Sequence, residues 1–187
     1  MKRLVMAGVL VTILALSGSA IAEEKKGPSW TFQVGYSPAV AGGFFADDDG
    51  GDAAGAGTFF PIGGALSVDW RSKGRWGVHV PISFNLSPIN GQYVPIIGVG
   101  VNAAFHFRKR DKKFDPYLLM GGKAYIAAHN SHDVKGVVIP MPSLGIGTRG
   151  YLSKNVGLYG EMSAQGIPFF GGAIGTIQGV FGVSIKF

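Results

Sequence analysis

The stretch Ile177 to Phe187 constrains the chain more than any other. Ile177, Phe181, Val183, Ile185 and Phe187 share one face of an extended strand, with Gly179 among them. Gln178, Ser184 and Lys186 share the other, with Gly182 and the one exception, Val180. A side chain points to alternate faces at every step of a strand. Period-two alternation running into a terminal aromatic is the pattern of the last strand of a transmembrane β-barrel.

The other end is consistent with export. Met1-Lys2-Arg3 is basic, Leu4 to Leu16 is apolar, and Ser17-Gly18-Ser19-Ala20-Ile21-Ala22 ends in a small-residue cleavage pattern before Glu23. The apolar run is too short to span a bilayer as a helix, so residues 1–22 read as a cleaved signal peptide. Residues 23–187 then form one domain. No cysteine follows the apolar run, which excludes a lipoprotein anchor, and the chain has 0 Cys, which excludes disulfides and thiolate chemistry. The C-terminal strand resembles the sorting signal of bacterial outer-membrane proteins, with Phe187 as its aromatic residue. That resemblance implies the Gram-negative outer membrane and recognition by its assembly machinery.

Eight strands are predicted. The first runs from Trp30 to about Val40, the second over about 59–70. The third is the clearest: Trp76, Val78, Val80, Ile82, Phe84 and Leu86 alternate with Gly77, His79, Pro81, Ser83 and Asn85. In the fourth, Ile97 to Phe107 oppose Gly98 to His106. In the fifth, Leu118, Met120, Ala124 and Ile126 oppose Tyr117, Leu119, Lys123 and Tyr125. In the sixth, Pro142, Leu144, Ile146, Thr148 and Leu152 oppose Ser143, Gly145, Gly147, Arg149 and Tyr151. In the seventh, Val156, Leu158, Met162 and Ala164 oppose Tyr159, Glu161, Ser163 and Gln165. The C-terminal strand is the eighth.

Turns near 71–75, 108–114 and 153–155 are short. Connections at 39–57, 87–93, 127–137 and 166–173 are expected to be mostly longer. Short periplasmic turns with longer outer loops suit an even-stranded barrel whose termini are both periplasmic. Trp30, Trp70 and Trp76 all fall at the short-turn ends, where an interfacial aromatic girdle belongs. The cations cluster in the same turns, at 71–75 and 108–113, as solvated tips. The net charge of +6 therefore does not point to nucleic acid, which an exported protein rarely meets.

A soluble barrel also alternates, so the character of the two faces decides. The less apolar face is Gly, Ala, Ser and Asn with few charges. It makes a poor water-facing surface and a good filling for a narrow eight-stranded interior. The face of Val, Ile, Leu and Phe then meets lipid. Pro81, Pro140 and Pro142 resist this reading, because a closed barrel has no edge to hold them. Pro81 is expected at a bulge, and Pro140 and Pro142 above the membrane.

The whole mature chain resembles the small OmpA/OmpX-type outer-membrane barrels. The resemblance is strongest in Asp115-Pro116-Tyr117-Leu118 and in the hairpin from Gly145 to Glu161. It implies an all-β, eight-stranded antiparallel up-and-down transmembrane β-barrel, monomeric and without a cofactor, surrounded by outer-membrane lipid and lipopolysaccharide. Function is less constrained, because the family contains structural barrels, adhesins, host-factor binders, narrow pores and a few lipid-modifying enzymes.

Arg149 and Glu161 both point inward on adjacent strands. A lone buried charge is costly, so a pair across the lumen is expected, with Lys123 and Asp69 in the same network and His79, His106 and Lys186 able to extend it. His129-Asn130-Ser131-His132-Asp133 is the one stretch with an enzyme-like look. It departs from the outer-membrane lipid A deacylases, where an Asn follows the Ser, and two imidazoles without further ligands make a poor metal site. Asp47-Asp48-Asp49-Gly50-Gly51-Asp52 departs from a Ca²⁺ loop, with Gly51 where a ligand is needed and Thr58 where a bidentate Glu should stand. No catalytic, cofactor or metal residue is therefore expected. The expected role is structural or surface-interacting, with a lumen filled by polar side chains. A narrow channel is the first alternative and a lipid A-modifying hydrolase the second.

Overall fold

The computed structural model describes residues 28–45, 54–60, 62–89, 92–110, 112–127, 137–169 and 172–187. The signal-peptide segment, the acidic run at 47–52 and the His129–Asp133 stretch lie outside them. Ten β-segments are present: β1 (Ser29–Tyr36), β2 (Ala39–Phe45), β3 (Ala54–Phe60), β4 (Ile62–Arg71), β5 (Trp76–Ile89), β6 (Gln92–His106), β7 (Phe114–Ala127), β8 (Val137–Tyr151), β9 (Val156–Phe169) and β10 (Gly172–Lys186). They make one antiparallel sheet that closes on itself through a β1–β10 pairing.

The ten segments form eight staves. β1 and β2 pair with β10 in a single unbroken register, Tyr36 with Phe181 and Ala39 with Gln178, so they are one stave interrupted at Ser37-Pro38. β3 and β4 make the next stave. Between the Ser37–Gly63 hydrogen bond and the Ala39–Phe60 pair, the first stave has one residue and the second has two. That extra residue is a bulge.

Alternation is obeyed on both faces, and the polarity is inverted relative to a soluble protein. Leu66, Val101, Leu144, Ile146, Leu158, Met162, Ile177 and Phe181 point outward and are each more than half exposed, whereas Thr31, Gln33, Ser67, Asp69, His79, Asn102, Lys123, Arg149, Gln178 and Ser184 are buried inside. Water would not support so large an apolar exterior; a hydrocarbon surround would. At the short-turn end Trp76 and Phe105 pack edge-on, as do Phe105 with Phe107 and Phe32 with Phe187. These rings, with Trp30 and Trp70 opposite each other on β1 and β4, form the expected aromatic girdle.

Several boundaries differ from expectation. The first hairpin continues as strand to Phe45 and resumes at Ala54, so the expected loop at 39–57 contracts to 46–53. Ala41-Gly42-Gly43 and Ala54-Gly55-Ala56-Gly57 carry almost no hydrophobic alternation, which hid these strands. The connections expected at 87–93 and 166–173 also contract, since Ile89 pairs with Gln92 and Phe169 with Gly172. Pro81 is not at a bulge. The β5–β6 register is the same on both sides of it, and the ladder lacks only the partners of Val80 and Pro81. The His106 amide donates to Arg75 in that register, so Pro81 faces β6 and simply lacks the N–H to pair with it.

Candidate functional site

The polar interior is the candidate site, and its residues come from the inward positions of every wall. The deepest layer is an ionic cluster. Arg149 on β8 donates from Nη2 to Asp69 Oδ2 at 2.8 Å, and its Nη1 lies 3.9 Å from Asp115. Arg71 on β4 reaches Asp115 on β7 at 3.4 Å and also donates to the Arg108 carbonyl. His106 Nδ1 is 2.9 Å from Asp115, and His106 Nε2 is 3.8 Å from Asp69. His79 stands between two carboxylates, 3.7 Å from Asp69 and 3.5 Å from Glu161. Two arginines and two histidines thus share three carboxylates, so no charge in this layer stands alone.

Tyr117 ties this layer together. Its hydroxyl donates to Glu161 and lies 3.4 Å from Gln33 Nε2. The Arg149 guanidinium stacks 4.4 Å from its ring centroid, a cation–π contact. The ring has room because residue 147 is glycine: a Cβ there would sit 2.5 Å from two Tyr117 ring carbons.

With eight staves in sequence around the ring, β4 faces β8, β5 faces β9 and β1 faces β7. The Asp69–Arg149, His79–Glu161 and Gln33–Tyr117 contacts each join opposite walls. Chords in three directions cross the lumen.

The middle layer is uncharged except for Lys123. This lysine donates to Gln178, and Gln178 donates to Ser37. Above it, Tyr125 donates to Gln165 at 2.8 Å and lies 3.1 Å from Thr176. Between the ionic and middle layers is a cavity of about 20 Å³ lined by His79, Ser83, Asn102, Lys123, Tyr159 and Glu161, among others. Ser83 Oγ, Asn102 Oδ1 and Tyr159 OH have no protein hydrogen-bond partner. One water needs roughly 10–15 Å³, so the space suits hydration of these groups and is too small for an organic solute.

The four expected interior residues are therefore all inward, but their pairing differs from the prediction. Arg149 and Glu161 do not form an ion pair; Tyr117 stands between them, and Arg149 turns to Asp69 instead. Lys123 has no carboxylate within ion-pair distance among the described residues. Lys186 donates to the Arg110 carbonyl at the short-turn end. Asp115, Tyr117 and Arg71 are the members that the sequence reading left out of the cluster. Asp115 and Tyr117 share the inward parity of Lys123, and Arg71 that of Asp69, so the alternation count alone places them inside. Phe187 lies at the lipid-facing rim, its amide donating to the Trp30 carbonyl at 2.8 Å. No group of three His, Cys, Asp or Glu side chains suited to a metal occurs among the described residues.

Comparison with known proteins adds the fold. The chain superposes on Ail, the attachment invasion locus protein of Yersinia pestis, over 87% of its own length and 100% of that chain, with a TM-score of 0.54 and 15% identity. Neisserial surface protein A aligns over 83% of this chain and 97% of its own, with a TM-score of 0.53 and 17% identity. OprG of Pseudomonas aeruginosa aligns over 86% and 96%, with a TM-score of 0.53 and 9% identity. No protein-family model and no curated protein sequence matches the chain. The fold is that of the small eight-stranded outer-membrane barrels.

Proposed function

We propose that the chain is a monomeric, non-enzymatic outer-membrane barrel whose lumen is closed by the ionic cluster, and that it serves the envelope structurally or through its outer hairpins. The carrying observation is the set of three contacts that join opposite walls at one level, Asp69–Arg149, His79–Glu161 and Gln33–Tyr117. A solute would have to separate them together. Lipid and lipopolysaccharide surround the apolar exterior, the short turns face the periplasm after removal of residues 1–22, and Phe187 is the aromatic that the assembly machinery recognises. The β2–β3 hairpin and the 128–136 connection are the parts offered to an outside surface.

The test is conductance in a planar bilayer. Purified, refolded barrel is expected to give no steady current above the bare membrane. A steady current would overturn the closed lumen and favour the narrow channel, for which the small polar-lined cavity beside Lys123 is the supporting observation. An altered lipid A mass in cells expressing the protein would instead favour the hydrolase.

A further inference from the structure

Charge on the outside of the barrel is gathered at one end. Among the described residues the side-chain carboxylates are Asp69, Asp115 and Glu161, and all three belong to the interior cluster. The exposed cations all lie on the short turns. Lys73 and Arg75 are exposed on the β4–β5 turn, and Arg108, Lys109, Lys112 and Lys113 on the β6–β7 turn. Lys154 is exposed on the β8–β9 turn. Asp111 is the one acid in the sequence of these three turns.

The turns form one continuous arc over the walls from β4 to β9. The His106 amide donates to the Arg75 carbonyl at 2.7 Å and the Tyr151 amide to the Lys113 carbonyl at 2.7 Å, so each turn is tied to the strand beside it. Arg71 reaches from the first turn to the Arg108 carbonyl on the second. Within the first turn, Ser72 Oγ donates to the Trp76 carbonyl and accepts from the Gly74 amide. Within the third, Ser153 Oγ accepts from the Asn155 and Val156 amides. The backbones are thus fixed before a partner arrives, and binding has only side chains to order. Like charges held on neighbouring turns repel one another, and an anionic surface offsets that repulsion.

The depth of these cations identifies the partner. Arg75 precedes Trp76, Arg108 follows Phe107, and Lys113 precedes Phe114. Each of those three rings is at least half exposed on the outer wall. Trp76, Phe105 and Phe107 pack edge-on into a shelf, at the level where an interfacial belt meets the end of the hydrocarbon. A charge one residue beyond such a ring stands at headgroup depth. There the guanidinium forks suit phosphate oxygens, and the lysines supply point charges.

We propose that the arc of short turns is a docking surface for anionic phospholipid. The turn cations hold a phosphodiester of the phosphatidylglycerol type, and its acyl chains lie along the Trp76–Phe105–Phe107 shelf. The inference rests on the membrane reading above, and it places lipid recognition at the short-turn end, away from the outer hairpins. The occupant is a lipid because the cations and the apolar shelf are contiguous; a polyanion in water would engage only the first.

The test is fluorescence quenching in phosphatidylcholine vesicles that contain the same mole fraction of a lipid with brominated acyl chains, either phosphatidylglycerol or phosphatidylcholine. Trp76 is the reporter, with Trp30→Phe and Trp70→Phe. A barrel with all three tryptophans replaced by Phe and with Tyr93→Trp, at the exposed outer end of β6, is the control. Brominated phosphatidylglycerol is expected to quench Trp76 about twofold or more over brominated phosphatidylcholine, because an anionic lipid gathers beside juxtamembrane cations. The two lipids should quench Tyr93→Trp equally. Replacing Lys73, Arg75, Arg108, Lys109, Lys112 and Lys113 by Gln should bring the Trp76 ratio to about one, and so should about 1 M salt, which shortens the screening length to about 3 Å. The salt arm keeps every native charge, so it decides the matter even where the Gln variant does not refold. A ratio of about one at Trp76, with strong quenching by both lipids, would overturn the docking surface and leave the membrane barrel standing. An equal preference at Tyr93→Trp would overturn its location, and a preference that survives salt would overturn the charged recognition. Absence of quenching by either lipid would overturn the membrane reading and the docking surface with it.

Discussion

Arg149 on β8 and Asp69 on β4 meet at 2.8 Å from opposite sides of the barrel, 80 residues apart in sequence. Each is almost wholly removed from water. Removing one partner takes the closest counter-charge from the other in a buried site, which costs up to roughly 3–5 kcal/mol, whereas removing both leaves no orphan. Asp69→Asn and Arg149→Gln are each expected to destabilise the barrel by about that amount, and the double variant by less than the sum of the two. Urea unfolding of the refolded protein in detergent, for the four members of the cycle, checks this. Additive losses would show that the contact carries no coupling.

Tyr117 supports the same cluster by different means, and two substitutions separate them. Tyr117→Phe removes the hydroxyl that serves Glu161 and Gln33 but keeps the ring under Arg149, at an expected cost of about 1–3 kcal/mol. Gly147→Ala keeps every polar group and drives a methyl into the ring, at an expected cost of about 1–3 kcal/mol from overpacking. Combining Gly147→Ala with Tyr117→Ala should relieve the clash, so that Gly147→Ala costs little in that background. The same unfolding assay reads both, and an equal cost of Gly147→Ala in both backgrounds would contradict the packing.

How far the interior was legible follows from these residues. Inward orientation is a matter of parity, and it identified Asp69, Lys123, Arg149 and Glu161 without a structure. Pairing is a matter of position around the ring. Sequence nearness favours Arg149 with Glu161, because their strands form one hairpin, but a long guanidinium reaches the far wall and Tyr117 fills the space between the two. Strand ends were legible where large side chains alternate, as in β5, and illegible where Gly and Ala fill both faces, as in β2 and β3. The prolines were legible as an anomaly; which neighbour each one deprives of a hydrogen bond depends on which way its backbone faces, and that is a property of the assembled sheet.

Closure of the sheet predicts resistance to detergent. Every wall is paired over its membrane-crossing part apart from the short break at Pro81, and β1 joins β10 to complete the ring. Unboiled protein should migrate differently from boiled protein on a denaturing gel, as a folded barrel with no free edge to fray. Identical migration of the two samples, with helical circular dichroism, would contradict the closed barrel.

Deletion of Phe187 should lower the yield in the outer membrane more than it lowers export. The ring packs 5.8 Å from Phe32 at the exposed rim, and the residue's amide is bound to Trp30. The interior cluster does not use it, so a truncated chain refolded in detergent should retain most of its stability while failing in the cell. Fractionation and unfolding measured side by side check the two halves of that expectation.

The β1–β10 junction also sets an order of events. Gln178 hydrogen-bonds to Ser37 at a sequence separation of 141, and no earlier strand can supply that partner. Until the last strand has been made, an incomplete chain carries two raw sheet edges and an apolar skin. Closing so long a loop is entropically costly and slow. β10 removes both edges at once, by pairing with β9 on one side and with β1 and β2 on the other.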